Sequence, residues 1–336
     1  MGQAPTRQAV MYAGLPESTI CTTINKVCAS GMKSVMMASQ ALQCGGGGED
    51  GAILAGGFES MSNIPHYLKS SRTGTKLGNG ALVDGVVHDG LWDLYNDQHM
   101  GMCGEKCAKE YNISREEQDV YTIESYRRAN AALVDGVFEE VIPIEIPQRR
   151  GDPLIVIEDE EPGSIKIDKI VSLKPAFDRT NGTITAANAS SLNDGACALV
   201  LMTEQAALEK GIKPIARVRG FGDAAQAPID FTTAPSLAVP VALQNAGVEA
   251  SDVDYHEINE AFSVVALANM QLLNLNPSRV NVYGGAVALG HPIGMSGARI
   301  IGTLYNALKH KDGSIGCASI CNGGGGASAI VIERLE

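Results

Sequence analysis

One short pattern occurs twice in this chain. Cys28-Ala-Ser-Gly31-Met32 and His291-Pro-Ile-Gly294-Met295 each set a chemically competent side chain three residues before a Gly-Met pair and a run of helical apolar spacing. In each case a strand-opening glycine follows at a similar distance, Gly51 after the first copy and Gly313 after the second. A repeated helix-then-strand unit predicts two copies of one α/β half, each presenting its polar residue at a helix amino end.

The rest of the chain fits that reading. Met32, Val35, Met36, Ser39 and Leu42 predict a helix over 31–43, and GAILAGG at 51–57 reads as a short buried strand closed by glycines. Residues 62–183 carry more charge and more Gly and Pro, with a helix opened by the Ser114-x-x-Glu117 capping pattern; the stretch reads as an insertion. Strands are predicted at 196–203 and 215–222, then at VDYHEI. A helix over 259–273, the segment VNVYGG, a helix over 294–309 and two closing strands complete an α/β alternation.

Composition narrows the function classes. With 336 residues and 45% hydrophobic content the chain can bury one large core or two moderate ones. Apolar stretches are interrupted long before a membrane span is reached. Thirty-eight acidic against 26 basic residues give a net charge of −12, which argues against wholesale binding to nucleic acid or anionic membrane and requires a local basic patch for any anionic ligand. The eight cysteines are scattered and include no CxxC pair, which fits a reducing compartment. His99, Cys103 and Cys107 share one helical face, so a metal site is an alternative for them, without a fourth ligand nearby. The amino end, MGQAPTRQAV, has neither a secretory nor a transit pattern.

Cys28 lies between a polar strand-like segment, TTINKV, and the first helix. A helix amino end favours thiolate, so Cys28 is a candidate nucleophile; the alternative is a small buried hydrophobe. His291, in the glycine-rich GGAVALGHPIGMSGAR, is a candidate base for a thiol, or a structural histidine. Cys321 opens the run CNGGGGAS, which lacks the Lys and Ser/Thr of a phosphate loop; its glycines can expose N–H groups as an oxyanion hole, or simply turn the chain. Asn259 is either the cap of the NEAF helix or a group that orders a water or an oxyanion, and Glu260 is a dipole partner or an orienting acid.

Together VCASGM, NEAF, GGAVALGHPIGMSGAR, CNGGGGAS and TAANASSLNDGACALVLM (185–202) resemble the signatures of thiolases, in that family's order and spacing. The resemblance implies a five-layered αβαβα fold of two similar halves with an inserted loop domain. Its halves would be 1–61 with 184–212, and 213–336, and the coenzyme A-binding insertion 62–183. It implies acetyl-CoA C-acetyltransferase activity, joining two acetyl-CoA into acetoacetyl-CoA or running in reverse. The alternatives are a medium- or long-chain 3-ketoacyl-CoA thiolase and a non-catalytic coenzyme A-binding relative. Cys28 would carry the acyl group, His291 would take its proton and Cys321 would move the α-proton. One oxyanion hole would be His291 with an Asn259-held water, the other the N–H groups of Cys28 and Gly323.

The same resemblance implies coenzyme A contacts at Leu91, His99, Met100, Lys169 and Ser190, with Ser164 where many relatives have Arg and Lys166 as a substitute. The nearest likeness is to the potassium-activated mitochondrial branch. Tyr126, the carbonyls of Ala186, Ala187 and Ala189, and Val287 match its potassium site, and Phe231 the position that accompanies a 2-methyl-branched substrate, although Thr232 follows where Pro is usual. No catalytic metal is implied. A homo-oligomer, dimer or tetramer, in the mitochondrion is expected, or in the cytoplasm if the start is authentic. Thiolases carry a strand, a helix and a second strand ahead of the GQAPTRQA segment, so an amino-terminal truncation is also expected.

Overall fold

The computed structural model describes residues 2–74 and 76–336, with only the main chain at position 49. A short helix α1 (Pro5–Tyr12) buries none of its residues. Helix α2 (Ser30–Gln43) buries Met32, Val35, Met36 and Leu42, as the apolar spacing predicts. Strand β1 (Ala52–Ser60) follows and pairs antiparallel with β2 (Asp194–Met202), Ala52 opposite Met202 and Ser60 opposite Asp194. Between these partners lie α3 (Met100–Glu110), α4 (Arg115–Val134) and three small two-stranded ladders. The capping box at Ser114 and Glu117 opens α4, each partner satisfying a free N–H group of the other's residue.

The carboxyl-terminal part runs through β3 (Ala216–Ala225), α5 (Pro235–Ala246), β4 (Tyr255–Ile258), α6 (Ser263–Leu272), α7 (Ile293–His310), β5 (Ile315–Asn322) and β6 (Gly326–Arg334). Its sheet has the order β4-β5-β6-β3, with β4 parallel to β5 and the other pairs antiparallel. Helix α5 covers one face. Helices α2 and α7 lie against each other between this sheet and the β1–β2 ribbon, touching both.

That central layer holds the core. Met32, Ile300, Leu304 and Ile320 are fully buried in one cluster drawn from both halves, and burial of each such side chain stabilises by about 2 kcal/mol. Glycines set how close the two helices come. A Cβ on Gly31 would lie 2.8 Å from the Ala298 nitrogen, and one on Gly297 would lie 2.5 Å from the Met32 nitrogen. Only Gly-on-Gly packing lets the two amino ends, and the residues just ahead of them, converge.

Three expectations change in the structure. TTINKV is not a strand, since no neighbour offers it a ladder and only an isolated bridge, Lys26 to Cys28, forms there. The helix predicted from 259 begins at Ser263, because Asn259 donates its N–H to the Ser319 carbonyl and prolongs the sheet instead. VNVYGG forms only single bridges, Val280 to His256 and Val282 to Gly284. The outer face of the β1–β2 ribbon leaves Leu54 56% and Val200 68% exposed, whereas the matching face of β5–β6 buries Cys317, Ala327, Ala329 and Val331 against the α5 cluster.

Candidate active site

Cys28 sits in a turn built by its neighbours. Ser30 N–H and Ser30 Oγ both donate to the Val27 carbonyl, at 3.1 and 2.6 Å, the Lys26 N–H donates to Ser30 Oγ at 2.8 Å, and Val27 N–H donates to Asn25 Oδ1 at 2.9 Å. Val27 is thereby held at φ 49°, a left-handed conformation that a β-branched residue adopts only under constraint. The turn aims the Cys28 sulfur at the β5–β6 hairpin, where the Gly323 N–H donates to it. Burial pushes the Cys28 thiol up to about 11, partly offset by the hydrogen bonds from Gly323 and its own N–H, while Glu59 adds to the rise.

Cys321 lies near the end of β5 and is fully buried. Burial raises its thiol well above the usual range, and the charge of Cys28 raises it further, so the two sulfurs lie within electrostatic reach of each other. The glycine run closes the β5–β6 hairpin, with Gly324 at φ 87° and Gly325 at φ 89°. The turn and the N–H donor are therefore one feature, the tight turn being what presents Gly323. Met100 roofs the position: a Cβ on Gly323 would lie 3.6 Å from the Met100 methyl and from Val27 Cγ1.

His291 stands at the start of α7, as Cys28 does for α2. Neither helix is capped by its own N-cap side chain, and Glu59 accepts the Gly294 N–H at 3.0 Å. Ser296 Oγ donates to the Pro292 carbonyl at 3.0 Å, so its oxygen accepts the His291 Nδ1 proton across 2.6 Å. That fixes the tautomer and leaves Nε2 as the basic nitrogen. Asn259 Nδ2 approaches Nε2 at 3.5 Å, and the buried Asn259 Oδ1 has no protein partner. Burial, aided by the charge of Arg299, holds the imidazole neutral, down to about 3.

Glu260 is fully buried and fully engaged. It accepts from Tyr121 Oη at 2.7 Å, Asn281 Nδ2 at 2.8 Å, Ser125 Oγ at 2.9 Å and Val287 N–H at 3.0 Å. This carboxylate ties α4 to the loops that carry Asn259 and His291, and it caps the short helical turn Ala286–Leu289 rather than the helix that follows it in sequence.

The remaining expected residues fall into three groups. Met100 and Phe231 are buried in the cluster that contains Cys321, while Leu91 packs half-buried on the cluster containing Cys28. His99 caps α3, accepting the Gly101 N–H on Nδ1 at 3.0 Å, and stacks on Phe177 at 4.6 Å. Gln98 donates to Cys103 Sγ at 3.5 Å and Cys107 bonds to Thr232, and no cluster of metal-ligating side chains occurs among the described residues. Ser190 gives both its N–H and its hydroxyl to the Ala261 carbonyl, at 3.1 and 2.9 Å, and Lys169 is exposed on a 3₁₀ turn. Tyr126 and Val287 are buried in one cluster, Ala187 is buried, Ala186 exposed, and Ala189 bridges to Phe262.

Residues 1–205 match the thiolase amino-terminal domain and residues 212–334 the thiolase carboxyl-terminal domain. The chain belongs to the thiolase family. Acetyl-CoA acetyltransferase 1 of Arabidopsis thaliana is 57% identical over all of this chain and 81% of its own length. The mitochondrial acetyl-CoA acetyltransferase of Bos taurus is 56% identical over 99% of this chain and 78% of its own, and a cytosolic form from Gibberella zeae is 51% identical. The crystal structure of Acat5 thiolase from Ascaris suum in complex with coenzyme A superposes on this thiolase with a TM-score of 0.92 at 47% identity, covering 99% of this chain and 84% of that one. The paired halves and the α2–α7 layer are thus those of the thiolase fold.

Sequence reasoning missed Val27, Ser296 and Arg299. Ser296 stands inside GMSGAR, five residues after His291, and that spacing at a helix start was the one signal available for it.

Proposed function

We propose that this thiolase is an acetyl-CoA C-acetyltransferase working through an acyl-cysteine. The observation that carries the reading is that buried Cys28 accepts the Gly323 N–H within electrostatic reach of a second buried thiol, Cys321. A thiol held near 11 is a weak nucleophile at neutral pH, so the thiolate has to be made in place. His291 Nε2 supplies the base. Cys28 Sγ attacks the acetyl-CoA carbonyl and its proton passes to Nε2; the carbon–sulfur bond to coenzyme A breaks, and the departing thiolate takes the Cys321 proton. Gly323 and Cys28 N–H groups receive the carbonyl oxygen as it turns anionic. The Cys321 thiolate so formed removes the α-proton of a second acetyl-CoA, the enolate carbon attacks the acyl carbon, and the bond to Cys28 breaks to give acetoacetyl-CoA, the Cys28 thiolate taking its proton back from His291. Asn259 and His291 face the enolate oxygen. Two thiols are needed because one is occupied as a thioester while the other moves a proton.

Incubation with acetyl-CoA should add one acetyl group per chain on the peptide containing Cys28, and Cys321→Ala should retain that label while losing condensation. Folded protein that takes up no label at Cys28 ends this reading.

Leu91, His99, Met100, Lys169, Ser190 and Phe231 are assigned to coenzyme A and acyl contacts, supported by the packing of Met100 and Phe231 around Cys321 and by the exposure of the Lys169 cation. For potassium, the Tyr126 hydroxyl fits an oxygen ligand: burial keeps it neutral, to about 12, and it has no hydrogen-bond partner among the described residues. Tyr126 and Val287, with the carbonyls of Ala186, Ala187 and Ala189, would hold the ion, which would stiffen the loop behind His291. A mitochondrial location is supported by the likeness to the potassium-activated branch, with the cytoplasm as the alternative. Activity that rises with potassium but not sodium, and does not rise in Tyr126→Phe, is the expected result. Dimers or tetramers are supported by the bare side chains of Tyr12 and Ile20, 90% and 95% exposed, and light scattering measures them directly.

A further inference from the structure

Behind His291, buried polar groups of opposite charge lie across β4 and α7 from each other without hydrogen-bond partners among the described residues. On β4, Ile258 packs with Met270 and Val280 on one side of the strand, so the alternation of side chains puts Glu257 and Asn259 on the other, against α7. Glu257 is 1% exposed and its Oε1 has no protein partner. On α7, Arg299 and Thr303 are one turn apart on the same face; both terminal nitrogens of Arg299 and the hydroxyl of Thr303 are buried and likewise unpartnered. The Arg299 charge reaches both Glu257 and His291. Leaving such groups unsatisfied costs several kcal/mol, and water is the small ligand that satisfies both signs.

We infer that Glu257, Arg299 and Thr303 form a water-bridged charge set in which Glu257, as carboxylate, offsets the Arg299 cation and so lets His291 accept the Cys28 proton. Glu257 is then a positioning residue: it touches neither substrate nor sulfur and acts through Arg299. The inference rests on the acyl-cysteine reading above. An uncompensated Arg299 opposes an imidazolium; a compensated one tolerates it. Glu260 and Arg128 also act on Glu257, Cys197 and the exposed Asp159 also face Arg299, and Ser296 and Asn259 face His291. Burial holds the Glu257 carboxyl up to about 8, so the competent, ionised form grows as pH rises through that value.

The experiment is the pH profile, from 6 to 9.5, of Cys28 acetylation by acetyl-CoA in wild type, Glu257→Gln, Glu257→Asp and Asp159→Asn. Expected are a rise near pH 8 in wild type, a rate about tenfold lower with that rise flattened and KM unchanged in Glu257→Gln, partial recovery in Glu257→Asp, and a wild-type profile in Asp159→Asn. A Glu257→Gln protein that loses thermal stability yet keeps the wild-type pH profile overturns the inference, as does a profile that moves with Asp159→Asn alone. Failure of wild type to acetylate at all sinks the acyl-cysteine reading first, so the two failures are distinct.

Discussion

His291 does its work neutral, and its orientation comes from one hydroxyl. Ser296→Ala removes the acceptor of the Nδ1 proton, so the tautomer is no longer fixed. The expected outcome is a fall in kcat of about ten- to a hundredfold with KM little changed, measured by steady-state thiolysis. His256, 6% exposed on the opposite face of β4, is held neutral by burial, down to about 4. Its folded value lies below its unfolded one, so the stability it lends is whole above pH 6.5 and drains as pH falls towards 4, by about 1.4 kcal/mol per pH unit. Glu257, raised in the fold, runs the opposite way over its own range. The clean measurement is therefore the difference between wild type and His256→Gln, which denaturation at pH 7 and pH 5 should show shrinking with acidity.

At this scale the candidate set was legible because Cys28 and His291 each stand just ahead of a helix with glycine in its first turn, and Cys321 just ahead of a glycine turn. Asn259 was half-legible: its type suits a cap, and only the strand bond to Ser319 shows that it is not one. Val27, Glu257 and Arg299 were illegible, because the sign of φ and the lack of a partner are properties of packing and leave no trace in residue type.

Among the elements, the α2–α7 contact controls how the two halves meet. Gly31→Ala sets a methyl 2.8 Å from a backbone nitrogen that cannot turn aside. Overpacking of this kind costs about 1–3 kcal/mol, and the helices must part at the end that carries Cys28 and His291. Activity should fall by more than the folded fraction, read by comparing acetylation rate with the unfolding midpoint. Ser114→Ala is the contrasting case. It removes a cap at the far end of α4, should cost about 1 kcal/mol, and should leave the acetylation rate of the folded protein unchanged. The helix and strand order was readable from periodicity, whereas the loss of TTINKV as a strand was not, since a strand needs a neighbour and the sequence names none.

For the molecule as a whole, the asymmetry between halves decides solution behaviour. The β5–β6 pair is flanked by β4 and β3 and covered by α5, whereas β1–β2 has both edges free of strand partners among the described residues and shows Leu54 and Val200 to solvent. Open edges with apolar faces promote association. A Leu54→Lys, Val200→Lys double variant should bind less of a hydrophobic dye and self-associate less in sedimentation, with acetylation of Cys28 unaltered.

The left-handed backbone at Val27 carries one last implication. Glycine would sit there at ease, and a Val27→Gly chain would shed the local strain while gaining freedom to swing the sulfur away from the hairpin. A more comfortable turn would thus make a worse enzyme, and evolution towards relaxed geometry at this point would be movement away from function.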